Sequence, residues 1–151
     1  MAERQMAPAE KTSAIHFDEH TISEFSKIFQ TRDNVRGRLH SIEPITKKKN
    51  QSEEKLSFDA ASHLNGTIQQ GGYAATDKGC KFQVWDIDKS IPAKELCKTI
   101  FNLDPSIFPI QSPGGRWHLF KFHHDWLPLD QAKKIAAAVE KKLERIYGKD
   151  L

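Results

Sequence analysis

Apolar residues recur at helical spacing in three parts of the chain. A first helix is predicted from Thr21, where Glu24 completes a capping box and apolar positions follow at intervals of three and four. A second begins at Pro92 and ends before Asp104. The third, over 130–147, has one apolar stripe opposite a charged face and is the clearest helix of the sequence.

Strand patterns lie between these helices. Residues 80–88 (CKFQVWDID) alternate so that Phe82, Val84, Asp86 and Asp88 share one face. Residues 107–111 and 117–122 predict two more strands, and the Ser-Pro-Gly-Gly turn at 112–115 predicts that they form a hairpin. The order strand, helix, strand, strand, helix predicts an α+β fold with a largely antiparallel sheet and helices on one face.

The first half of the chain is more polar. Residues 1–14 are expected to be a disordered lead, and 30–38, with three arginines around a glycine, a solvated turn. Residues 44–57 predict a loop or linker, followed by a short helix near 60–64 and a short strand near 67–70. We therefore expect a single domain over 15–151, with the helix, basic turn and linker in 15–79 and the candidate chemistry in 80–151.

Composition narrows the class of protein only slightly. Lysine and arginine exceed aspartate and glutamate by 23 to 20, so a polyanionic partner is permitted without being required. Cys80 and Cys97 are expected to be buried free thiols, which favours a reducing, cytoplasmic location. No apolar run approaches the roughly 20 residues that span a bilayer, so no membrane partner is expected.

Two aspartates close the strand at 80–88. Asp86 and Asp88 are separated by one residue and project to the same side, where their carboxylates suit Mg²⁺ or Mn²⁺. The alternative is that they merely end the strand, although two like charges so close together repel each other without a cation.

The hairpin turn offers groups that suit a phosphate. Ser112 has a hydroxyl, Gly114 and Gly115 have backbone N–H groups that no side chain blocks, and Arg116 has a guanidinium. His118 lies on the same strand face as Arg116 and could donate to a phosphate or shuttle a proton. Most Gly-Gly turns only close a hairpin, so the turn alone is weak evidence for phosphate binding. The neighbouring aspartates strengthen that interpretation.

The segment VWDIDKS, followed by SPGGRWHLF, resembles motifs I and II of the archaeo-eukaryotic primase superfamily, the primase–polymerase catalytic domain. FSKIFQTRDNVRGR is similar to the entry segment of primase domains in mobile elements and transposon-encoded conflict systems. The resemblance implies an RNA-recognition-like (RRM-like) β-α-β-β-α core and template-dependent nucleotidyl transfer by DNA primase or polymerase in plasmid or mobile-element replication. It also implies partners: a single-stranded DNA template, nucleoside triphosphates, and a fused or separate helicase.

By the same resemblance, Asp86 and Asp88 bind the catalytic Mg²⁺ or Mn²⁺ ions in a two-metal mechanism, whereas the basic residues of motif II bind the triphosphate. The residues expected to bind nucleotide are Ser112, Gly114, Gly115, Arg116 and His118. The basic residues expected to contact the template are Arg32, Arg36, Arg38, Lys47, Lys48 and Lys49.

The family has a third acidic motif, for which nothing after Tyr147 offers a counterpart. Three explanations remain open. The chain is the N-terminal part of a longer polymerase, with an incomplete catalytic domain; or Asp104, Asp125 or Asp130 substitutes; or nucleotide is bound without turnover. The first is favoured.

Three other functions compete with this interpretation. DIDKS also resembles the signature of haloacid-dehalogenase-type phosphatases, in which Asp86 would be the nucleophile and Asp88 an acid. A noncatalytic single-strand-binding module would use aromatic residues as exposed stacking platforms. A zinc site could use neighbouring histidines, although adjacent strand residues point to opposite faces. The aromatic residues are Trp85, Trp117, Phe120 and Phe122, and the zinc candidates are His118, His123, His124 and Asp125.

Overall fold

A computed structural model describes residues 15–151, and the disorder predicted for 1–14 lies outside this range. The described residues form four helices and two antiparallel three-stranded sheets, which confirms the predicted α+β class. The helices are α1 (Glu19–Ile28), α2 (Ala60–Leu64), α3 (Ala93–Leu103) and α4 (Leu129–Tyr147). The strands are β1 (Arg36–Ile42), β2 (Lys49–Glu54), β3 (Gln70–Gly71), β4 (Cys80–Ile87), β5 (Ile107–Gln111) and β6 (Trp117–Leu127).

The first sheet, in the order β2-β1-β3, corrects two predictions for the N-terminal half. Residues 36–38 begin strand β1 rather than lying in a solvated turn, and 49–54 form strand β2 rather than a linker. Backbone pairing between β1 and β2 forms this hairpin, and Glu54 of β2 binds both Arg36 and Arg38 of β1. Hydrophobic alternation does not reveal such a strand, because five of the six residues of β2 are exposed.

The second sheet, in the order β4-β6-β5, contains the predicted hairpin. Strands β5 and β6 pair in antiparallel register around the turn at 112–115, where Gly115 has a φ of 83° that favours glycine. Strand β6 continues to Leu127, beyond the predicted end at 122, and its pairing with β4 is irregular near Cys80. Over 80–147 the elements follow one another in the predicted order.

Helices α3 and α4 cover one face of the second sheet and form the main core with it. Trp85 and Ile87 of β4 and Leu119 of β6 are buried there against Leu96 of α3 and Leu143 of α4. Trp117 also points to this side, and its indole N–H donates to the carbonyl oxygen of Ile91 at 3.0 Å. The centre of the helix-covered face is therefore apolar and closed.

The opposite face carries Phe82, Phe120 and Phe122, although the length and apolar stripe of α4 predict that these aromatic residues cover that helix. Phe29, at the end of α1, packs on all three rings instead, with centroid distances of 5.2–5.8 Å. Residue alternation explains the correction: Phe82 is three residues from Trp85, so the two side chains lie on opposite faces of the strand. Phe29 thereby joins the N-terminal half of the chain to the second sheet.

Three local details also differ from, or extend, the sequence analysis. Asp18, not Thr21, caps α1: its carboxylate accepts from the Thr21 N–H at 2.7 Å. Cys80 is buried as expected, and burial raises the pKa of its thiol, but Cys97 is exposed on the outer side of α3.

Among residues 15–151, no helix combines the length and apolar character needed to cross a membrane.

Candidate functional site

The register between β4 and β6 places two acids beside two basic groups. Asp86 pairs with His118, and two positions further out, just beyond the Ile87–Trp117 pair, lie Asp88 and Arg116. His118 Nε2 lies 3.6 Å from Asp86 Oδ1, and Arg116 Nη1 lies 3.2 Å from Asp88 Oδ1. Four predicted site residues therefore meet at one end of the sheet.

All four side chains face solvent. The side chains of Asp86 and Asp88 are 72% and 68% exposed, and those of Arg116 and His118 are 67% and 43% exposed. Ion pairs this exposed contribute little to folding because water already solvates both partners. The pairs can open at small cost, which leaves the groups available to a ligand.

The backbone that follows β4 is held by the end of the chain. The Asp88 N–H donates to the carbonyl oxygen of Leu151 at 2.7 Å, and Lys89 Nζ donates to the carbonyl oxygen of Tyr147 at 2.6 Å. Asp88 therefore has an exposed carboxylate on a fixed backbone.

In the hairpin turn, Ser112 acts on the turn itself. Its carbonyl accepts from the Gly115 N–H at 2.9 Å, and its hydroxyl oxygen accepts from the Arg116 N–H at 3.2 Å. Gly114, between them, is exposed at the tip of the turn. The Gly115 N–H is thus engaged within the turn, whereas the Ser112 hydroxyl accepts there and keeps its own O–H. The exposed guanidinium of Arg116 is the motif's strongest candidate for contacting an anion.

The donor set fits a divalent ion that is shared with a ligand. Residues 15–151 contain no group of three or more His, Cys, Asp or Glu side chains arranged to hold a metal. Mg²⁺, however, commonly keeps several waters and binds through one or two carboxylates together with substrate phosphates. Asp86 and Asp88 offer that smaller number of oxygens, so a metal held jointly with a phosphate fits the residues present.

None of the three candidate substitutes for a third acid joins this site within the described chain. Asp104 ends α3 and binds Lys121, whose side chain points to the helix-covered face. Asp125 has a 96% exposed side chain beside His124, well along β6 from His118. Asp130 lies in the first turn of α4.

The histidines proposed for a zinc site are also separate. His123 Nε2 lies 3.0 Å from the Gln83 side-chain oxygen, and burial lowers the pKa of His123. His124 is almost fully exposed. No three-ligand cluster forms among the described residues, so the geometry gives the zinc alternative no support.

A scan against models of known protein families gave no match, and the search of curated proteins also found none that matches this chain.

The six basic residues expected to contact a template fall into two groups. Arg36 is buried and binds Glu54, while Arg38 binds the same carboxylate at 3.2 Å. Arg32 donates from Nε to the carbonyl oxygen of Ala75 at 3.2 Å. The arginines therefore hold the N-terminal half together, whereas Lys47, Lys48 and Lys49 are exposed around the β1–β2 turn and remain accessible to a polyanion.

An open cleft of ≈ 840 Å³ lies away from the acids, between the end of α1, residues 76–78 and Trp126. It includes Arg32, but none of the four side chains that meet at the end of β4 and β6. The cleft and the candidate site are therefore separate places on the surface.

Sequence reasoning missed the surface beside the acids. Val84 is 40% exposed, Phe108 54% and Ile110 49%, all on the sheet face opposite the helices. The signal was present, because alternation over 107–111 places Phe108 and Ile110 on one face. Trp85 and Trp117, in contrast, are only 6% and 4% exposed, so they cannot serve as stacking platforms in this fold.

Proposed function

We propose that the chain handles nucleoside triphosphates in template-dependent nucleotidyl transfer, as a DNA primase or polymerase. The observation that carries the proposal is the β4–β6 register, which brings the D-x-D of one strand beside the R-x-H of the next. Carboxylates that hold a metal and basic side chains that bind phosphate must lie close enough together to contact the same triphosphate. Cross-strand neighbours meet that requirement.

In the proposed mechanism, the four residues exchange partners when a nucleotide arrives. Arg116 and His118 leave Asp88 and Asp86 and donate to phosphate oxygens, which are strong acceptors. The freed carboxylates of Asp86 and Asp88 would hold Mg²⁺ or Mn²⁺ jointly with the triphosphate. A metal ion bound there would supply charge neutralisation for the leaving pyrophosphate and activation of the primer 3′-hydroxyl. Arg116 and His118 stabilise the negative charge that develops during transfer.

The order of elements over 80–147 supports an RRM-like primase–polymerase core, because α3 and α4 lie on one face and the acids border the other. The third acid of the family is the missing part, since residues 15–151 contain no group of three such side chains arranged to hold a metal. The proposal therefore requires Asp86 and Asp88 to support nucleotide and metal binding, and transfer, without a third acid from the described residues. Replication of a mobile element in the cytoplasm, a single-stranded DNA template and a helicase partner belong to the same proposal.

The test is template-directed incorporation of a labelled nucleotide by the full chain with Mg²⁺ or Mn²⁺. Incorporation by the parent and its loss in the Asp86→Asn/Asp88→Asn variant would support the assignment. The matched control is Asp125→Asn/Asp130→Asn, which removes two exposed acids elsewhere. Incorporation that persists in the Asp86/Asp88 variant would contradict the mechanism. Nucleotide binding without incorporation would reduce the function to a nucleotide-binding module.

A noncatalytic single-strand-binding module is the second candidate. It is favoured by the exposed aromatic ring of Phe108 on the open sheet face. Metal-independent binding of single-stranded DNA, together with an absence of nucleotide binding, would favour it over the first.

A further inference from the structure

Four apolar side chains form a platform on the open face of the second sheet, next to the acid–base site. They are Val84 of β4, Phe108 and Ile110 of β5, and Phe120 of β6. The first three lie on the two edge strands and are 40–54% exposed, so together they form a contiguous apolar patch on this face. Their exposure needs an explanation that the core does not supply.

The platform begins at the phosphate-binding end of the sheet. Ile110 is the cross-strand neighbour of His118, and Phe120 is the neighbour of both Val84 and Phe108. The ring centroids of His118 and Phe120 are 6.4 Å apart. A ligand with phosphates at Arg116 and His118 would therefore meet apolar surface immediately beyond them.

The far end of the platform is closed. Phe122 follows Phe120 on the same face, and Phe29 packs edge-on against both rings, at 5.2 Å from Phe122 and 5.8 Å from Phe120. Because Phe29 belongs to the end of α1, the apolar strip stops where the N-terminal half rests on the sheet. The open area is thus limited to Val84, Phe108, Ile110 and the part of Phe120 that Phe29 leaves uncovered, a size that suits one aromatic base better than an extended strand.

We infer that the platform binds the base of the same nucleotide whose phosphates lie at Arg116 and His118. The inference rests on the proposed function, since it assumes a nucleoside triphosphate at that site. An apolar surface with charged groups at one end complements a ligand that is flat and apolar at one end and anionic at the other. A protein partner or a second copy of the chain would leave those charges unexplained.

The chemistry of the platform predicts how it treats different bases. Its four side chains carry no hydrogen-bonding group, so they provide stacking and apolar contact without reading base edges. Stacking on an aromatic ring tolerates every base because each has a π-face. The platform therefore strengthens nucleotide binding and leaves the choice of base to another element, such as a template.

The test compares Mn²⁺-dependent binding of ATP, GTP, CTP, UTP and inorganic tripolyphosphate by the full chain. The four nucleotides should bind within a few-fold of one another, and tripolyphosphate more weakly. Phe108→Ala should weaken nucleotide binding roughly 5- to 150-fold, the range for loss of one stacking contact, and leave tripolyphosphate binding unchanged. Phe108→Trp should keep the binding. Phe101→Ala removes a 68% exposed ring on α3 and is the matched control.

Two results would overturn the inference: equal binding of nucleotides and tripolyphosphate, or Phe108→Ala weakening a single-stranded oligonucleotide but not free nucleotide. The second result would place a strand on the platform. Platform-dependent nucleotide binding without template-directed incorporation would leave the inference standing while the proposed polymerase function fails. Failure of the parent chain to bind any nucleotide would contradict both the platform inference and the proposed function.

Discussion

Asp104 ends α3 and connects it to the β5–β6 hairpin. Its Oδ1 accepts from the Ser106 N–H at 2.9 Å and from the Ser106 hydroxyl at 2.6 Å, while its Oδ2 accepts from Lys121 Nζ at 2.5 Å. The pKa of Asp104 is lowered from 3.8 to about 2, and the hydrogen bond from Lys121 is the largest cause. The ionised carboxylate therefore stabilises the folded state.

The size of this stabilisation follows from the pKa difference. A shift of nearly two units corresponds to at most about 2.4 kcal/mol, at roughly 1.36 kcal/mol per unit. The Asp104 and Lys121 side chains are 27% and 18% exposed, so solvent screens the pair. Allowing for that screening, we expect Asp104→Asn to lower the free energy of unfolding by about 1 kcal/mol at pH 7, or about 2–4 °C in Tm.

The pH dependence has a definite sign. Because the folded pKa lies below the ordinary value of 3.8, the contribution is present above that value and is lost as the pH falls through about 2. Urea unfolding of the parent and Asp104→Asn at pH 7, 5 and 3 measures it. The difference in free energy of unfolding between the parent and Asp104→Asn should stay constant from pH 7 to 5 and fall to about half by pH 3.

Asp125→Asn is the control, since the Asp125 side chain is 96% exposed and should change stability little. Equal stability of the parent and Asp104→Asn at pH 7, or a difference that does not shrink by pH 3, would refute the argument. Asp104→Asn should also leave nucleotide binding intact. A loss of binding would restore Asp104 as a candidate for the third acid.

Two further predictions concern local packing. Gly79→Ala should destabilise the fold by about 3 kcal/mol in urea unfolding, because its φ is 111° and an added Cβ would lie 2.2 Å from the Leu127 carbonyl oxygen. Gly115→Ala, at φ 83° in open space, should lose only about 1 kcal/mol, and equal losses would contradict the packing argument. A thiol reagent should modify exposed Cys97 much faster than buried Cys80, and Cys97→Ser should remove the fast phase. A fast phase that survives in Cys97→Ser would show that Cys80 is accessible.

The second half of the fold was largely predictable because its pattern is local. Helix α4 begins one residue before its predicted start and ends at the predicted residue, since a long apolar stripe specifies both its type and its length. The β5–β6 hairpin was predictable from its turn residues. The first sheet was not predictable from local pattern. The contact between Arg36 and Glu54 joins residues 18 positions apart, and the sequence around them is typical of a turn and a linker.

The candidate site could be predicted in its members but not in its arrangement. Asp86 and Asp88 stood out as paired acids at a strand end, and Arg116 and His118 as basic groups after a turn. Their pairing depends on the register between β4 and β6, which are separated in the chain by α3 and β5, so no local turn specifies it. The engagement of Ser112 within its own turn is likewise a result of backbone geometry that residue type alone does not give.

The most direct test of the central claim is titration of a fluorescent nucleoside triphosphate into the full chain, with and without Mn²⁺. The parent and Asp86→Asn/Asp88→Asn are compared, with Arg145→Ala on the exposed side of α4 as a control for Arg116→Ala. We expect nucleotide binding that requires Mn²⁺, is lost without the two carboxylates, weakens in Arg116→Ala and is unchanged in Arg145→Ala. Nucleotide binding that does not depend on Mn²⁺ and persists without both aspartates would contradict the proposed site.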